Sequence, residues 1–411
     1  MKNILYLSYD GMTDPLGQSQ VIPYLAGLSA AGWPISIISF EKAENERETK
    51  HIRSLLQQHN IKWHPLTYTK KPPVLSTVYD IGRMSKEVKR IVAEDPSQYI
   101  IHCRSYISGL IGLSVKRKLG TQFLFDMRGF WADERVEGNI WTLNNPVFKM
   151  IYRFFKKKEK AFFTSSDYTV SLTHLGKREI HKLYPDEVDS ISPIEVIPCC
   201  VDNDLFDYRK IEKEETVTLK EKLNITSDQF VLGYVGSIGT WYMLPEMVAF
   251  FKTLLNLRKN AVFLFVSREN PAHIEAEFDR QGIDHAHLRI TSSARNEMPL
   301  HIATFDWSVF FIKPVFSKKA SSPTKQGEIM SMGVPIVCNA DVGDTEEIIL
   351  KYDAGIVTRT FDDITYAAMA EQMKSFNVEK EKIRRGAIET FDLQAGIRTY
   401  ERIYQTVSNG K

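Results

Sequence analysis

What most limits this chain is a rhythm. Short apolar runs of strand length alternate with stretches of helical periodicity. Lys2–Ser8, Ile35–Phe40, Ile61–Leu66, Tyr99–Arg104, Gln122–Met127, Tyr168–Thr173 and Glu195–Cys199 read as strands. Helical patterns fall between them near Gln18–Ala31, Val78–Ala93, Ile107–Lys118, Val147–Phe163 and Leu175–Tyr184. Strands this apolar offer no polar face to water, so both faces must be covered. Parallel strands also need a crossover between them, usually a helix. The pattern therefore predicts an α/β chain built on parallel sheets.

The rhythm breaks once and restarts. Arg209–Lys222 is charged and reads as a linker followed by a surface helix. Phe230–Val235, Val262–Ser267, Leu288–Thr291, Trp307–Ile312, Val334–Cys338 and Ala354–Val357 then resume as strands. Helices are expected at Met243–Leu257, Asp362–Phe376, Lys380–Thr390 and Leu393–Val407. With 411 residues there is room for two such domains. The expected division is 1–200, 201–385 and a closing helical segment, 386–411.

Composition removes several classes of function. At 43% hydrophobic residues the chain can fill sizeable cores and is not disordered. A net charge of +2 is too balanced to suggest nucleic acid. Cys103, Cys199, Cys200 and Cys338 have no metal-site spacing and read as buried thiols of a reducing cytosol. The N-terminus enters a strand with no signal-peptide pattern, and no run is long enough to span a membrane. No Walker loop, His-Glu metal motif or three-glycine dinucleotide fingerprint occurs, so neither a metal nor another cofactor is expected.

Chemistry concentrates at Ser321–Glu328, which reads Ser-Ser-Pro-Thr-Lys-Gln-Gly-Glu. Ser322 suits a helix N-cap and Pro323 the first helical position. Gly333 suits a left-handed stop. A helix from Pro323 to Met332 places Lys325 and Glu328 on one face. Its start offers backbone N–H groups and a positive dipole end, with Thr324 beside them, and these attract phosphate. Lys325 adds a full charge, and Glu328 can accept from two neighbouring hydroxyls, as on a ribose. The alternative is an amphipathic helix whose Lys and Glu form a solvated pair.

These residues resemble the donor-binding helix of GT-B glycosyltransferases, in particular the retaining family-four type. Glu328 matches the second Glu of that motif, and Ser331–Val337 matches its small-Gly-apolar-Pro turn and strand. The first Glu of the motif falls at Ala320. The Pro-Thr-Lys variant is similar to a subgroup in which the Lys holds the diphosphate. Val196–Phe206, with its Ile-Pro, Val-Asp and Phe, resembles the interdomain signature of the same family. The resemblance implies two Rossmann-like domains facing a cleft, with a final helix returning to the first domain. It also implies transfer of a sugar from a nucleotide-activated donor to a hydroxyl acceptor, without metal and with retention. The acceptor would be a glycan, a lipid-linked glycan or a protein, as in making bacterial cell-surface polysaccharide.

Further candidates follow from position. Gly236, Ser237 and Gly239 form a small-residue turn after a strand, where backbone amides can approach phosphates. The basic pair usual in relatives is absent there, which leaves the charge to Lys325, alone or with Lys318 or Lys319. Asp126 and Arg128 end a strand and open a loop rich in charge and aromatics, the edge where α/β sheets bind ligands. The resemblance gives them the catalytic, acceptor-side role; the alternative is an internal ion-pair network. Arg104 ends the neighbouring strand, and Gly17 with Gln18 opens a helix that an anion or sugar hydroxyl could meet. Residues 147–160 mix aromatics with Lys and Arg. They read as a domain helix with a solvated basic face, or as a contact to the inner face of a membrane. Two rival functions stay open: a non-catalytic nucleotide-sugar sensor, and a nucleotide-sugar epimerase on the same fold.

Overall fold

The structure is a computed structural model and describes residues 1–410. The chain forms two compact units, Met1–Pro198 with Leu393–Lys411, and Cys199–Asp392. The expected boundary at 386 falls inside the helix Lys380–Phe391, which lies whole in the second unit.

Among the described residues, the first unit holds a seven-stranded sheet in the order β3-β2-β1-β4-β5-β6-β7. Its strands are β1 (Asn3–Ser8), β2 (Ile35–Glu41), β3 (Lys62–Thr67), β4 (Tyr99–Arg104), β5 (Gln122–Asp126), β6 (Tyr168–Ser171) and β7 (Ile194–Val196). The second unit holds a six-stranded sheet, β10-β9-β8-β11-β12-β13. These are β8 (Phe230–Val235), β9 (Ala261–Val266), β10 (Leu288–Thr291), β11 (Trp307–Phe310), β12 (Ile336–Asn339) and β13 (Gly355–Thr358). Every ladder in both is parallel. Consecutive residues of β8, β9, β11 and β12 are all buried, so these strands are covered on both faces, as their composition requires. This is the α/β architecture of two Rossmann-like sheets that the alternation predicts.

In each sheet the strand order reverses beside the first strand, between β1 and β4 and again between β8 and β11. Crossovers on the two sides of that point run to opposite faces, which opens a crevice at the strand carboxyl ends. In the first unit the reversal aligns Ser8 with Arg104, and Arg104 with Asp126 on the next strand. In the second it leaves Gly236 at the end of β8.

Some boundaries differ from expectation for local reasons. The strand expected at Glu195–Cys199 is Ile194–Val196, because Pro198 has no N–H to continue the ladder. The helix expected at Gln18–Ala31 is two helices, Pro15–Gln20 and Ile22–Ala30, broken at Val21. The helix Glu46–Gln58 lies where no element is expected, because it buries only Ile52 and Leu56 and so carries little apolar signal. The last helix, Leu393–Ser408, packs on Ile22–Ala30 so tightly that a Cβ on Gly27 would stand 2.3 Å from Ile397 Cδ1. All four cysteines are buried, and none forms a disulfide among the described residues.

Candidate functional site

The helix Thr324–Ser331 follows β11 and precedes β12 in the second unit. Met332 caps it and Gly333 follows at φ 66°, the left-handed stop expected there. Its start differs from expectation. Pro323 is the capping residue, and the Ser322 hydroxyl instead accepts from Cys199 N–H at 3.1 Å. Ser322 therefore secures the segment entering the unit rather than the helix end. Thr324 opens the helix, half-buried.

Lys325 and Glu328 share a face and are both buried, which the solvated-pair alternative does not allow. Lys325 Nζ has no hydrogen-bond partner. It lies 3.8 Å from the ring centroid of Tyr234 and 3.6 Å from that of Tyr242. The two ring faces supply cation–π attraction but no acceptor oxygen. Burial pushes the Lys325 pKa well below its ordinary value, with Glu328 opposing. The Glu328 carboxylate acts on it without hydrogen-bonding it, and a buried ammonium with no acceptor is costly. Gly236 lies beside it at φ 94°, where a Cβ would stand an ordinary contact distance of 3.6 Å from Lys325 Cε and Nζ, so the backbone conformation and not space calls for glycine.

Glu328 is held from the side. Arg295 Nη1 donates to Glu328 Oε1 at 2.9 Å, and the Arg295 guanidinium lies 5.4 Å from the Phe206 ring centroid. Burial raises the Glu328 pKa, against the pull of Arg295 and Lys325. In the sequence Arg295 lies near an expected strand end, where an arginine could face an anion. It is 33 positions from Glu328, so no local pattern links them.

The turn after β8 departs from expectation. Glu269, after β9, accepts from Ser237 Oγ at 2.6 Å, Ile238 N–H at 3.2 Å and Gly239 N–H at 3.3 Å. The Ser237 hydroxyl leads in holding the Glu269 carboxyl below its ordinary pKa. The Gly239 amide and Ser237 hydroxyl are thus already bound to a carboxylate. Gly236 instead lies beside Lys325.

In the first unit, Asp126, Arg128 and Arg104 come together at the strand ends, and His102 and two tyrosines join them. Asp126 is buried; Arg128 Nη1 and His102 Nε2 each lie 3.8 Å from Asp126 Oδ2. Tyr400 donates to the same oxygen at 3.2 Å. Tyr404 OH sits 2.7 Å from His102 Nδ1. Both tyrosines come from the last helix, which the resemblance returns to the first domain without saying which of its side chains meet this cluster. Burial works to raise the Asp126 carboxyl, but Arg128, His102 and Arg104 outweigh it and hold it below its ordinary value. Burial lowers the His102 pKa, against the pull of Asp126. Arg128 has φ 57°, an uncommon conformation that sets where its side chain leaves the loop. Three buried atoms in the cluster, Asp126 Oδ1, His102 Nε2 and Arg104 Nη1, have no hydrogen-bond partner among the described residues.

Gly17 and Gln18 do not join this cluster as an open helix start. Gly17 is inside the short helix Pro15–Gln20, where a Cβ would stand 2.3 Å from Gly11 O. It is there for close packing. Gln18 Nε2 donates to Thr13 O at 3.0 Å and Glu48 Oε1 at 3.2 Å, so its amide is already used.

The fold thus assembled is that of the GT-B glycosyltransferases. No family model matches this chain, and no curated protein matches its sequence. Among solved structures it is similar to sucrose-phosphate synthase from Thermosynechococcus elongatus, at 14% identity and TM-score 0.76 over 100% of both chains. It is also similar to Anabaena HepE in complex with UDP-glucose, at 12% identity and TM-score 0.71 over 99% of this chain and 100% of that one. A glycosyltransferase from Rickettsia africae matches at 16% identity and TM-score 0.69, over 99% of this chain and 98% of that one.

Proposed function

We propose that the chain is a glycosyltransferase that moves a sugar from a nucleoside diphosphate donor to a hydroxyl acceptor, with the family-four-like helix Thr324–Ser331 as its donor grip. One observation carries this reading: the buried ammonium of Lys325, on the first turn of a helix and with no hydrogen-bond acceptor. A diphosphate supplies the missing acceptor, and its charge would restore the Lys325 proton that burial disfavours. Fold neighbours solved with UDP-glucose and with UDP-2-fluoro glucose support a nucleotide-sugar donor.

In the proposed reaction the bond between the anomeric carbon and the diphosphate oxygen breaks. The acceptor oxygen takes its place and its proton is released. Negative charge builds on the leaving diphosphate, where Lys325 and the first helical amides neutralise it without a metal. Glu328, fixed by Arg295, takes the ribose hydroxyls. The Asp126–Arg128–His102 cluster serves the acceptor side. We assign retention of configuration on the motif resemblance, with Ala320 leaving the donor sugar without the carboxylate that usually meets it.

A thermal-shift panel of UDP, GDP, ADP, TDP and CMP tests the donor reading: one nucleoside diphosphate should stabilise the protein. Glu328→Ala should weaken that nucleotide by roughly 1–3 kcal/mol, the range of a lost hydrogen bond to a charged group. Unchanged affinity by calorimetry would remove Glu328 from the site. Acceptor-dependent release of the free nucleotide separates a transferase from a sensor, and turnover without acceptor would indicate an epimerase.

Asp126→Asn tests the acceptor side. It keeps the shape but leaves Arg128 and Arg104 without their shared carboxylate. Transfer should fall on the order of a hundredfold while donor affinity stays unchanged. Equal loss of donor affinity would place Asp126 in a purely structural network.

A further inference from the structure

We propose that the outer face of the helix Pro146–Ser165, with the loop before it, docks on an anionic lipid bilayer. The inference rests on the surface of the first unit and stands whether or not the nucleotide reading holds.

The helix has two distinct sides. Phe155, Glu159, Phe162 and Phe163 are buried and tie it to the unit. At about 100° per residue, Val147, Met150 and Phe154 form one stripe on the opposite side. They are 50%, 65% and 45% exposed. Ile140 and Leu143 in the preceding loop add 51% and 38% exposure. Lone exposed apolar residues are ordinary, but five within fifteen positions form a patch that water alone does not explain.

The charges divide in the same way. Two basic residues are paired within the unit: Lys156 with Asp133 and Glu159, and Lys160 with Glu187. By the same helical geometry Lys149, Arg153 and Lys157 form a row along one edge of the apolar stripe, and none has an acidic partner among the described residues. Lys158 lies on the other edge, its ammonium 5.4 Å from the Phe154 ring centroid. From Asn139 to Lys158 there is no acidic residue at all. An apolar stripe between rows of unpaired bases matches a surface with phosphate headgroups above an apolar interior. A second copy of this face would meet it with like charge. Nucleic acid has no apolar phase to receive Met150 and Phe154.

Among the described residues no helix is long and apolar enough to cross a membrane, so the proposed contact lies on the surface. The test is co-sedimentation of the full chain with vesicles of phosphatidylcholine alone or mixed with phosphatidylglycerol, at low and high salt. Binding should require the anionic lipid and fall with salt. Lys149→Gln, Arg153→Gln and Lys157→Gln together should lower partitioning on the order of a hundredfold, about fivefold per base. Val147→Ser, Met150→Ser and Phe154→Ser together should lower it without restoring salt-free binding to neutral lipid. All six side chains lie on the outer face, so both triple variants should melt with the parent, which separates lost docking from lost folding. Equal binding to both vesicle types, or none to either, overturns the proposal. So does lipid-free self-association, seen by sedimentation velocity and abolished in the serine variant, because the face would then be an interface between copies.

Discussion

Lys325→Met is expected to give a free protein that is more stable than the parent and that has lost most of its affinity for nucleoside diphosphate. The parent buries an ammonium between two aromatic rings with no oxygen to receive its protons. Methionine has a similar reach and no charge to desolvate. Replacing buried charge by apolar groups of like volume is often stabilising, here by about 1–3 kcal/mol. For a unit of this size each kcal/mol raises Tm by about 2–4 °C.

The pH dependence carries a sign. Burial holds the folded Lys325 pKa well below 10.5, so the folded state loses this proton before the unfolded state does. Between the lowered value and the ordinary one the unfolded chain holds more protons, so this residue makes stability rise with pH across that window. Below the window the cost of the buried charge is present in full. Lys325→Met should remove this rise, while affinity falls roughly ten- to a hundredfold with the lost charge-assisted contact. Melting curves across the alkaline range, with and without the stabilising nucleotide, check both halves. A variant that melts lower and binds as well as the parent would refute the assignment of Lys325.

Arg384→Ala should have the opposite effect on stability, a loss of about 3–5 kcal/mol. Arg384 is buried, and its Nη1 donates to Phe206 O and Ser331 O, both at 2.6 Å. Its Nη2 donates to Asn203 O at 3.0 Å and lies 3.1 Å from Asp207 Oδ2. One guanidinium thus ties the segment 203–207 to the end of the helix that carries Lys325 and Glu328. Truncation leaves three carbonyls unsatisfied, and Phe206, under Arg295, loses its anchor. Nucleotide affinity should fall less than in Lys325→Met, because the contact is indirect. Arg384→Lys should recover only part of the stability, since an ammonium cannot span these acceptors as the planar fork does. Denaturant unfolding monitored alongside calorimetric binding measures both effects.

Apart from the family resemblance, the readings from the sequence rest on short-range rules. Alternating apolar runs and helical periods are local, so they placed the strands within a few residues and predicted parallel sheets covered on both faces. Lys325 and Glu328 are three residues apart on one helix, and helical geometry alone puts them on one face. Gly333 as a stop and Pro198 as a strand end are equally local. The tertiary structure decided which groups are free and which are taken. Glu269 already fills the amides after β8, and Ser322 is engaged by Cys199. Arg295 fixes Glu328, and Tyr400 and Tyr404 reach Asp126 and His102 from the other end of the chain. These pairings depend on strand order and on where loops close. A polar side chain takes whichever partner the fold brings within about 3 Å, and no window of neighbouring residues contains that distance.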